Sequence, residues 1–311
     1  MRLDVSKLRQ TLTKRGVEEE SVRPVIMLSL YSEVSLHELG PSAATALRKY
    51  LEIIPKNVLR SAQLDSGDAG KLTSRRVARD LKHLDSPPRD EDILGVLYSS
   101  AELGPPGDFG VNFIIEDLTD PDFEDSSNLL RFEFPASAAD SHEQTIELVL
   151  RLAECIPFSA GTCGYGLSHW HGDRFAVDQV YRLLPRFLGL DHSSKTPRER
   201  IKGHTPSPSW LTFVHADLLN ELGGDQALAN HAPDAKVSLL ENGSMIRASK
   251  FPPVGDVNRG AADIGALPGV ARFLKPKRTR IPFLRGAEVE LDVQAWLSRF
   301  DDRDNQAWNN D

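Results

Sequence analysis

Short β-prone runs and amphipathic segments follow one another along this chain without a regular alternation, and this order constrains the fold more than any other feature. Val25–Tyr31, Ile93–Ser99 and Val111–Ile115 are short apolar runs, and Asn128–Pro135 alternates apolar and polar residues, as half-buried strands do. A parallel sheet would require strands and helices in strict alternation. We therefore predict an α+β fold, with a largely antiparallel mixed sheet, helices packed on it and a single large domain.

Helices are predicted where apolar residues recur at helical spacing. The predicted helices are Ser42–Ile54, Ser74–Leu84, Ser141–Glu154, Asp173–Leu188, Ala262–Leu274 and Val293–Phe300. Three later runs predict further strands. Trp210–His215 is apolar, and Val237–Leu240 and Ser244–Ala248 flank Asn242-Gly243, a dipeptide typical of a type I′ hairpin turn.

The domain organisation follows from length and from the absence of a linker. The chain has 311 residues, which is enough for one large domain or two modest ones. Its Pro-rich stretches are short, and none resembles an interdomain linker. We predict an N-terminal helical arm over residues 1–22, an α+β domain over residues 23–300 and a polar C-terminal tail over residues 301–311.

Overall charge and composition exclude several classes of protein. The net charge is −8, from 37 basic and 45 acidic residues, which argues against a general nucleic-acid binder or a basic membrane-surface protein. The first residues, MRLDVSKLRQTLTKRG, contain no apolar core of a secretory signal. No run of about 18 apolar residues occurs. Two cysteines cannot form a disulfide framework. We expect a cytoplasmic protein that binds neither nucleic acid nor membranes directly.

Acidic residues are concentrated in one stretch. Between Asp85 and Asp125 there are twelve acids and one base, Arg89, so this stretch carries −11 while the rest of the chain carries +3. Its densest part, Glu116–Asp125, lacks the glycine and the closing glutamate of a calcium-binding loop. Two interpretations stay open at this point. The stretch is either an anionic surface that docks on a cationic partner or a solvated loop that keeps the protein soluble.

The sequence SHWHGD, Ser168–Asp173, is the best candidate for a metal or catalytic site. His169, His171 and Asp173 are two residues apart, so on a strand they would point to one side. Ser168 does not lie in the G-x-S-x-G motif of a nucleophile elbow. We expect no catalytic residue, no metal and no other cofactor, and we keep a metal- or Ser/His-dependent hydrolase as the alternative function.

A basic strip lies near the C-terminus. Six cations occur between Arg272 and Arg285 with no acid among them, which would suit phosphate binding. The apolar residues around them, such as Phe273 and Ile281, instead indicate a helix end followed by an edge strand. We expect a structural role for this strip.

A series of motifs in the second half follows a familiar order. They are Gly164–Leu167 (GYGL), Pro185–Asp191 (PRFLGLD), Ile201–Gly203 (IKG), Ser209–Phe213 (SWLTF), Leu218–Gly224 (LLNELGG) and Phe251–Arg259 (FPPVGDVNR). In this order they resemble a bacterial type VI secretion immunity family, formerly a domain of unknown function. The resemblance covers roughly Arg23 to Arg278, and it departs from the family pattern at residues 204–209, HTPSPS, which are inserted.

The resemblance implies a non-enzymatic immunity protein. Such a protein binds a cognate antibacterial effector delivered by type VI secretion and neutralises it by occluding its active or substrate-binding site. Several such toxins resemble nucleases, so the expected partner has a basic cleft. The acidic stretch then becomes the candidate partner-binding surface, with an aromatic residue as apolar anchor. Its residues are Glu116, Asp117, Asp120, Asp122, Phe123, Glu124 and Asp125, and Phe109 is a second candidate anchor.

Other residues of the shared motifs are expected to be architectural rather than partner-binding. Glycines suit tight turns and close approach of backbones, tryptophan suits a core, and Asp and Asn suit hydrogen bonding within loops. These residues are Gly164, Gly166, Gly189, Trp210, Gly223, Gly224, Gly255, Asp256 and Asn258.

Overall fold

The computed structural model describes residues 4–14, 17–63, 69–102, 106–169, 174–192, 201–280 and 292–304. Its strands are β1 Gln10–Lys14, β2 Val17–Ser32, β3 Ser61–Gln63, β4 Ala69–Lys71, β5 Ile93–Ser99, β6 Gly110–Glu116, β7 Asn128–Pro135, β8 Ala160–His169, β9 Asp191–His192, β10 Leu211–His215, β11 Lys236–Leu240 and β12 Gly243–Arg247. Its helices are α1 Leu36–Ile53, α2 Ser74–Asp85, α3 His142–Ala153, α4 Arg174–Leu183, α5 Ala216–Glu221, α6 Gly224–His231, α7 Leu267–Leu274 and α8 Val293–Leu297.

Within the described ranges the strands form one twelve-stranded sheet in the order β11-β12-β10-β8-β2-β7-β6-β5-β3-β4, with β1 on β2 and β9 on β8. The β8–β9 pair is parallel, and the other pairs are antiparallel. This confirms the predicted α+β class and the largely antiparallel sheet.

The main core lies between the centre of the sheet and helices α1 and α3. Ile26 and Leu28 of β2 are fully buried there. Tyr50 of α1 packs on Phe132 of β7, with ring centroids 5.3 Å apart, and its hydroxyl donates to the Glu133 carbonyl at 2.6 Å. A second cluster lies between β10, β12 and α7.

The N-terminal arm is not the predicted helix. Val5–Leu8 forms one 3-10 turn, and β1 then pairs antiparallel with the first part of β2. Leu8 and Val22 are buried in the main core. Pairing with the neighbouring strand β2 and burial of Leu8 therefore override the helical propensity of the polar arm. The predicted boundaries at residues 22 and 300 stay predictions, although β2 crosses the first of them.

Several predicted elements differ from the structure in their ends, and the contacts of two of them show why. Helix α4 ends at Leu183, because the next residues pair with a loop: the Leu188 N–H donates to the Gly255 carbonyl at 3.1 Å. The predicted hairpin exists, but its turn is Glu241–Asn242 and has no positive φ, so it is not of type I′. Gly243 instead allows close approach to β10, since a Cβ there would lie 2.2 Å from the Val214 carbonyl oxygen.

Candidate partner-binding surface

The acidic loop, residues 117–127, connects β6 to β7 and is closed at its base by Asn128. This side chain is fully buried. Its Oδ1 accepts the Glu116 N–H at 2.6 Å, and its Nδ2 donates to the Val34 carbonyl at 2.7 Å. One amide thus joins both ends of the loop to the chain that leads into α1. Asn128 was not among the predicted site residues. Its place at the start of a strand, directly after an acidic run, could have indicated its role at the loop base.

The first two predicted binding residues belong to the fold. Glu116 is 1% exposed. The Asp117 carboxylate accepts the Ser35 hydroxyl and, at 3.1 and 2.8 Å, the N–H and hydroxyl of Thr119. These hydrogen bonds, that of Ser35 first, hold the pKa of Asp117 below its usual value. Both carboxylates shape the base of the loop rather than its outer surface.

The remaining acids form a turn that points outward. Asp120 is half-buried, and its carboxylate accepts the Asp122 N–H at 2.8 Å. Asp122, Glu124 and Asp125 are exposed, and in the described part of the chain none of their carboxylates pairs with a lysine or arginine. The backbone holds this turn, because the Phe123 N–H donates to the Asp120 carbonyl at 2.9 Å. The loop therefore presents three exposed carboxylates on a hydrogen-bonded frame, and no lysine or arginine among the described residues pairs with them.

The two candidate anchors differ in their surroundings. Phe109 is half-buried and packs against the main core. Phe123 is half-buried within the acidic loop. Phe123 is thus the aromatic side chain that lies among the exposed carboxylates.

The first two residues of the Ser168–Asp173 candidate are the last two residues of β8. Ser168 and His169 are buried and adjacent on the strand, so their side chains point to opposite faces of the sheet. Ser168 donates to Glu133, a carboxyl whose pKa is raised by burial and lowered in part by Arg131 and this bond. His169 Nδ1 lies 3.2 Å from the Leu167 carbonyl oxygen. A serine and a histidine placed in this way do not form a nucleophile–base couple.

The other two members of that candidate, His171 and Asp173, lie outside the described residues. Among the residues that the structure describes, no three His, Cys, Asp or Glu side chains are grouped as a metal site requires.

The basic strip is engaged with other parts of the chain. Arg278 makes a bidentate pair with Asp301, 2.6 Å from each carboxylate oxygen, and Lys275 lies 3.5 Å from the same group. Lys277 pairs with Glu221. Arg285 lies outside the described residues. These ion pairs join the end of α7 to the segment that follows α8, as a structural role requires.

Several motif residues meet where β8 faces its neighbours. A Cβ on Gly164 would lie 2.4 Å from the Ser209 hydroxyl, and a Cβ on Gly166 would lie 2.6 Å from the terminal methyl of Met27. Trp210 is fully buried, and its indole N–H donates to the Ser249 carbonyl at 3.0 Å. At Gly166 the Met27 Cβ, 2.8 Å from the added atom, leaves no space for a larger residue, whereas at Gly164 the Ser209 hydroxyl would have to rotate away.

A second group meets where residues 186–189 pair with residues 254–257. Gly189 approaches the 253 carbonyl so closely that a Cβ would lie 2.2 Å from its oxygen, and Gly255 has φ +66°. Asp256 is buried, accepts from Arg186 at 3.1 Å, and accepts the Asn258 N–H at 3.1 Å. The Arg186 bond, with smaller contributions from Asn258 and Arg259, lowers the pKa of Asp256.

Gly223 and Gly224 lie elsewhere, between α5 and α6. Both have positive φ, +94° and +67°, a conformation that glycine adopts without strain. The inserted residues 204–209 are mostly buried, and Thr205 exchanges backbone hydrogen bonds with the basic strip at Lys277 and Thr279, each 2.8 Å long. The insertion is therefore packed into the fold.

Comparison with solved structures shows that this fold occurs in another protein. The solved structure of the Pseudomonas aeruginosa T6SS protein PA0821 is similar, with a TM-score of 0.75 and 17% identity over 96% of this chain and 88% of that chain. This similarity establishes a shared fold. No curated protein matches the sequence.

The family follows from the sequence match. The model of the TsiV family, described as type VI immunity for VRR-NUC, matches residues 42–300. The chain therefore belongs to the TsiV family of type VI immunity proteins. This confirms the resemblance drawn from the motifs. In the described residues no helix is both long and apolar enough to cross a bilayer.

Proposed function

We propose that this immunity protein binds a cognate VRR-NUC nuclease effector of a type VI secretion system and neutralises it without catalysing a reaction. The observation that carries the proposal is the acidic loop, where Asp122, Glu124 and Asp125 are exposed and their carboxylates pair with no lysine or arginine of the described chain, above a base closed by Asn128. Family membership supplies the class of partner.

The proposed mechanism is steric and electrostatic occlusion. A nuclease needs a basic cleft, because DNA is held largely through its phosphates. The exposed carboxylates would approach that cleft and cover it. Charges at the rim of an interface mainly accelerate association, whereas a desolvated aromatic at its centre contributes most of the binding energy. Phe123 is placed to act as that aromatic.

The proposed partner also sets where the protein acts. A nuclease that attacks chromosomal DNA is active in the cytoplasm, so an inhibitor must meet it there. We accordingly place this protein in the cytoplasm and expect it to contact the effector rather than nucleic acid.

A charge-reversal experiment tests the proposal. The protein is mixed with the nuclease encoded beside its gene, and association rate and residual DNA cleavage are measured. The triple variant Asp122→Lys, Glu124→Lys and Asp125→Lys should slow association by about tenfold or more and restore cleavage. The matched control variant reverses the charge of three exposed acids outside the acidic loop, Glu52, Glu147 and Glu154.

The outcomes separate cleanly. The control should inhibit cleavage like the wild-type protein. Equal inhibition by the loop variant would place the interface elsewhere, and failure of the wild-type protein to bind the nuclease would refute the proposed partner.

A further inference from the structure

A cleft of about 340 Å³ opens beside the acidic loop, at the same end of the sheet. The segment 202–203 lies between the two: the Lys202 ammonium donates to the Glu124 carbonyl, and the Gly203 N–H donates to Glu33 at 2.8 Å. Glu33 lines the cleft, so the segment 202–203 connects the cleft to the acidic loop.

The lining of the cleft is partly apolar, and it carries three carboxylates and one lysine, Lys277. Val34, Pro157 and Leu218 are half-buried and line it, and three carboxylates, those of Glu33, Asp217 and Glu221, lie around them. The cleft thus offers apolar contacts beside negatively charged groups.

Two of these carboxylates are uncompensated. Lys277 pairs with Glu221. Glu33 and Asp217 have no lysine or arginine partner within the described ranges. His215 Nδ1 accepts the Asp217 N–H at 3.3 Å and lies 3.6 Å from the Asp217 carboxylate. The cleft therefore carries a net negative charge.

Backbone hydrogen bonds hold the cleft in shape. The Ser159 N–H donates to the Tyr31 carbonyl at 2.8 Å, and the His215 N–H donates to the Ser159 carbonyl at 3.1 Å. On the other side, the Thr205 N–H donates to the Lys277 carbonyl at 2.8 Å. A site that is already ordered loses less entropy when it is filled.

We infer that this cleft receives an arginine or lysine side chain of the bound effector, an inference that rests on the proposed function. The methylene stem of such a side chain would lie along the apolar part of the lining, with its cationic end at Glu33 and Asp217. Insertion of a basic side chain into a concave site is typical of an interface hot spot. The acidic loop would speed association, and the cleft would slow dissociation.

The first experiment needs no effector. Nα-acetyl-arginine amide is titrated into the full chain, and the backbone amide signals of Ser159, Gly203 and Asn242 are followed by NMR. Nα-acetyl-citrulline amide, which has nearly the same shape and no charge, is the matched control ligand. We expect saturable shifts with the arginine amide alone. The double variant Glu33→Gln and Asp217→Asn should weaken binding by about tenfold, because both charges are gone.

Folding of that variant is checked by thermal unfolding. A glutamine at position 33 keeps an oxygen that accepts the Gly203 N–H, so the midpoint should stay unchanged. The inference is overturned if the arginine amide causes no saturable shifts. It is also overturned if the citrulline amide causes shifts of the same size.

The second experiment measures the complex with the nuclease. The double variant should dissociate about tenfold faster, while Glu147→Gln with Glu154→Gln, both on exposed positions, should behave as wild type. If the double variant dissociates from the nuclease at the wild-type rate, the cleft inference is overturned and the proposed function still stands. If the wild-type protein does not bind the nuclease, the proposed function fails, and the arginine amide titration still decides whether the cleft is a site for basic groups.

Discussion

The side-chain amide of Asn128 accepts the backbone N–H of Glu116 at 2.6 Å and, through its nitrogen, donates back to the Glu116 carbonyl at 3.3 Å. This pairing imitates one more rung of the β6–β7 ladder at the point where the strands separate. It lies directly beneath the acidic loop. The position of the exposed carboxylates therefore depends on one buried amide.

Replacement of Asn128 by alanine should destabilise the protein by about 2–4 kcal/mol, because it leaves the buried Glu116 N–H and Val34 carbonyl without their partner. Urea unfolding measures the change. Asn220→Ala, at an exposed position of α5, is the control and should stay within about 0.5 kcal/mol. Equal stability of the two variants would show that the loop base is held by other contacts.

Asp117 should make stability depend on pH in the acid range. Its pKa is lowered in the folded state, chiefly by the Ser35 hydroxyl. Its contribution is therefore complete above the unfolded value, about 4, and is lost as the pH falls through the lower folded value. Asp117→Asn should show a smaller loss of unfolding free energy below about pH 4 than the wild-type protein.

The control for this pH effect is Ser35→Ala, which removes the largest cause of the lowered Asp117 pKa. It should reduce the pH dependence of the unfolding free energy in the same way. The double variant should add little to either single one. Parallel profiles for wild type and Asp117→Asn would contradict the assignment.

Replacement by alanine should affect protein stability at one glycine, Gly189, and not at another, Gly95. Gly189→Ala places a Cβ 2.2 Å from the Pro253 carbonyl oxygen and should cost about 1–3 kcal/mol in stability. Gly95→Ala meets nothing within 4 Å on an exposed position of β5, and should be neutral within about 0.5 kcal/mol. Chemical denaturation of both variants decides the point, and a tolerated alanine at position 189 would contradict the close approach.

Arg278 tests the structural role of the basic strip. Arg278→Ala leaves Asp301, which is 8% exposed in its side chain, with Lys275 alone, and should cost at least about 2 kcal/mol. The exposed Arg280 is the matched control and its alanine variant should be near neutral. Thermal unfolding measures both variants. If Arg280→Ala were destabilised more than Arg278→Ala, the result would favour a binding role for the strip.

Association with the effector should depend strongly on salt. Exposed carboxylates steer a cationic partner over a Debye length, about 10 Å at 0.1 M ionic strength, so raising the salt concentration should lower the association rate. Replacement of Asp122, Glu124 and Asp125 by asparagine or glutamine should reduce the slope of rate against ionic strength. Stopped-flow mixing measures both, and an unchanged slope would exclude these residues from the encounter.

Much of the local structure could be predicted from the sequence. Strands β5 and β7 have the predicted bounds, and α2 differs by one residue, because alternation and helical spacing report directly which side of an element is buried. Strand β8 was not predicted as an element, since its glycines conceal the apolar pattern. The glycines reflect neighbours that are distant in sequence, such as Met27 for Gly166.

The same limit applies to the candidate site. The sequence by itself determined that this chain is α+β, that it belongs with type VI immunity proteins and that its acidity lies in one stretch. Only the tertiary structure decided which acids remain available: Asp117 is bonded to Ser35, whereas Asp122 is exposed. It also brought Glu33 and Asp217 to one cleft. Burial and pairing depend on residues that are far apart in the chain, and the order of residues does not report those distances.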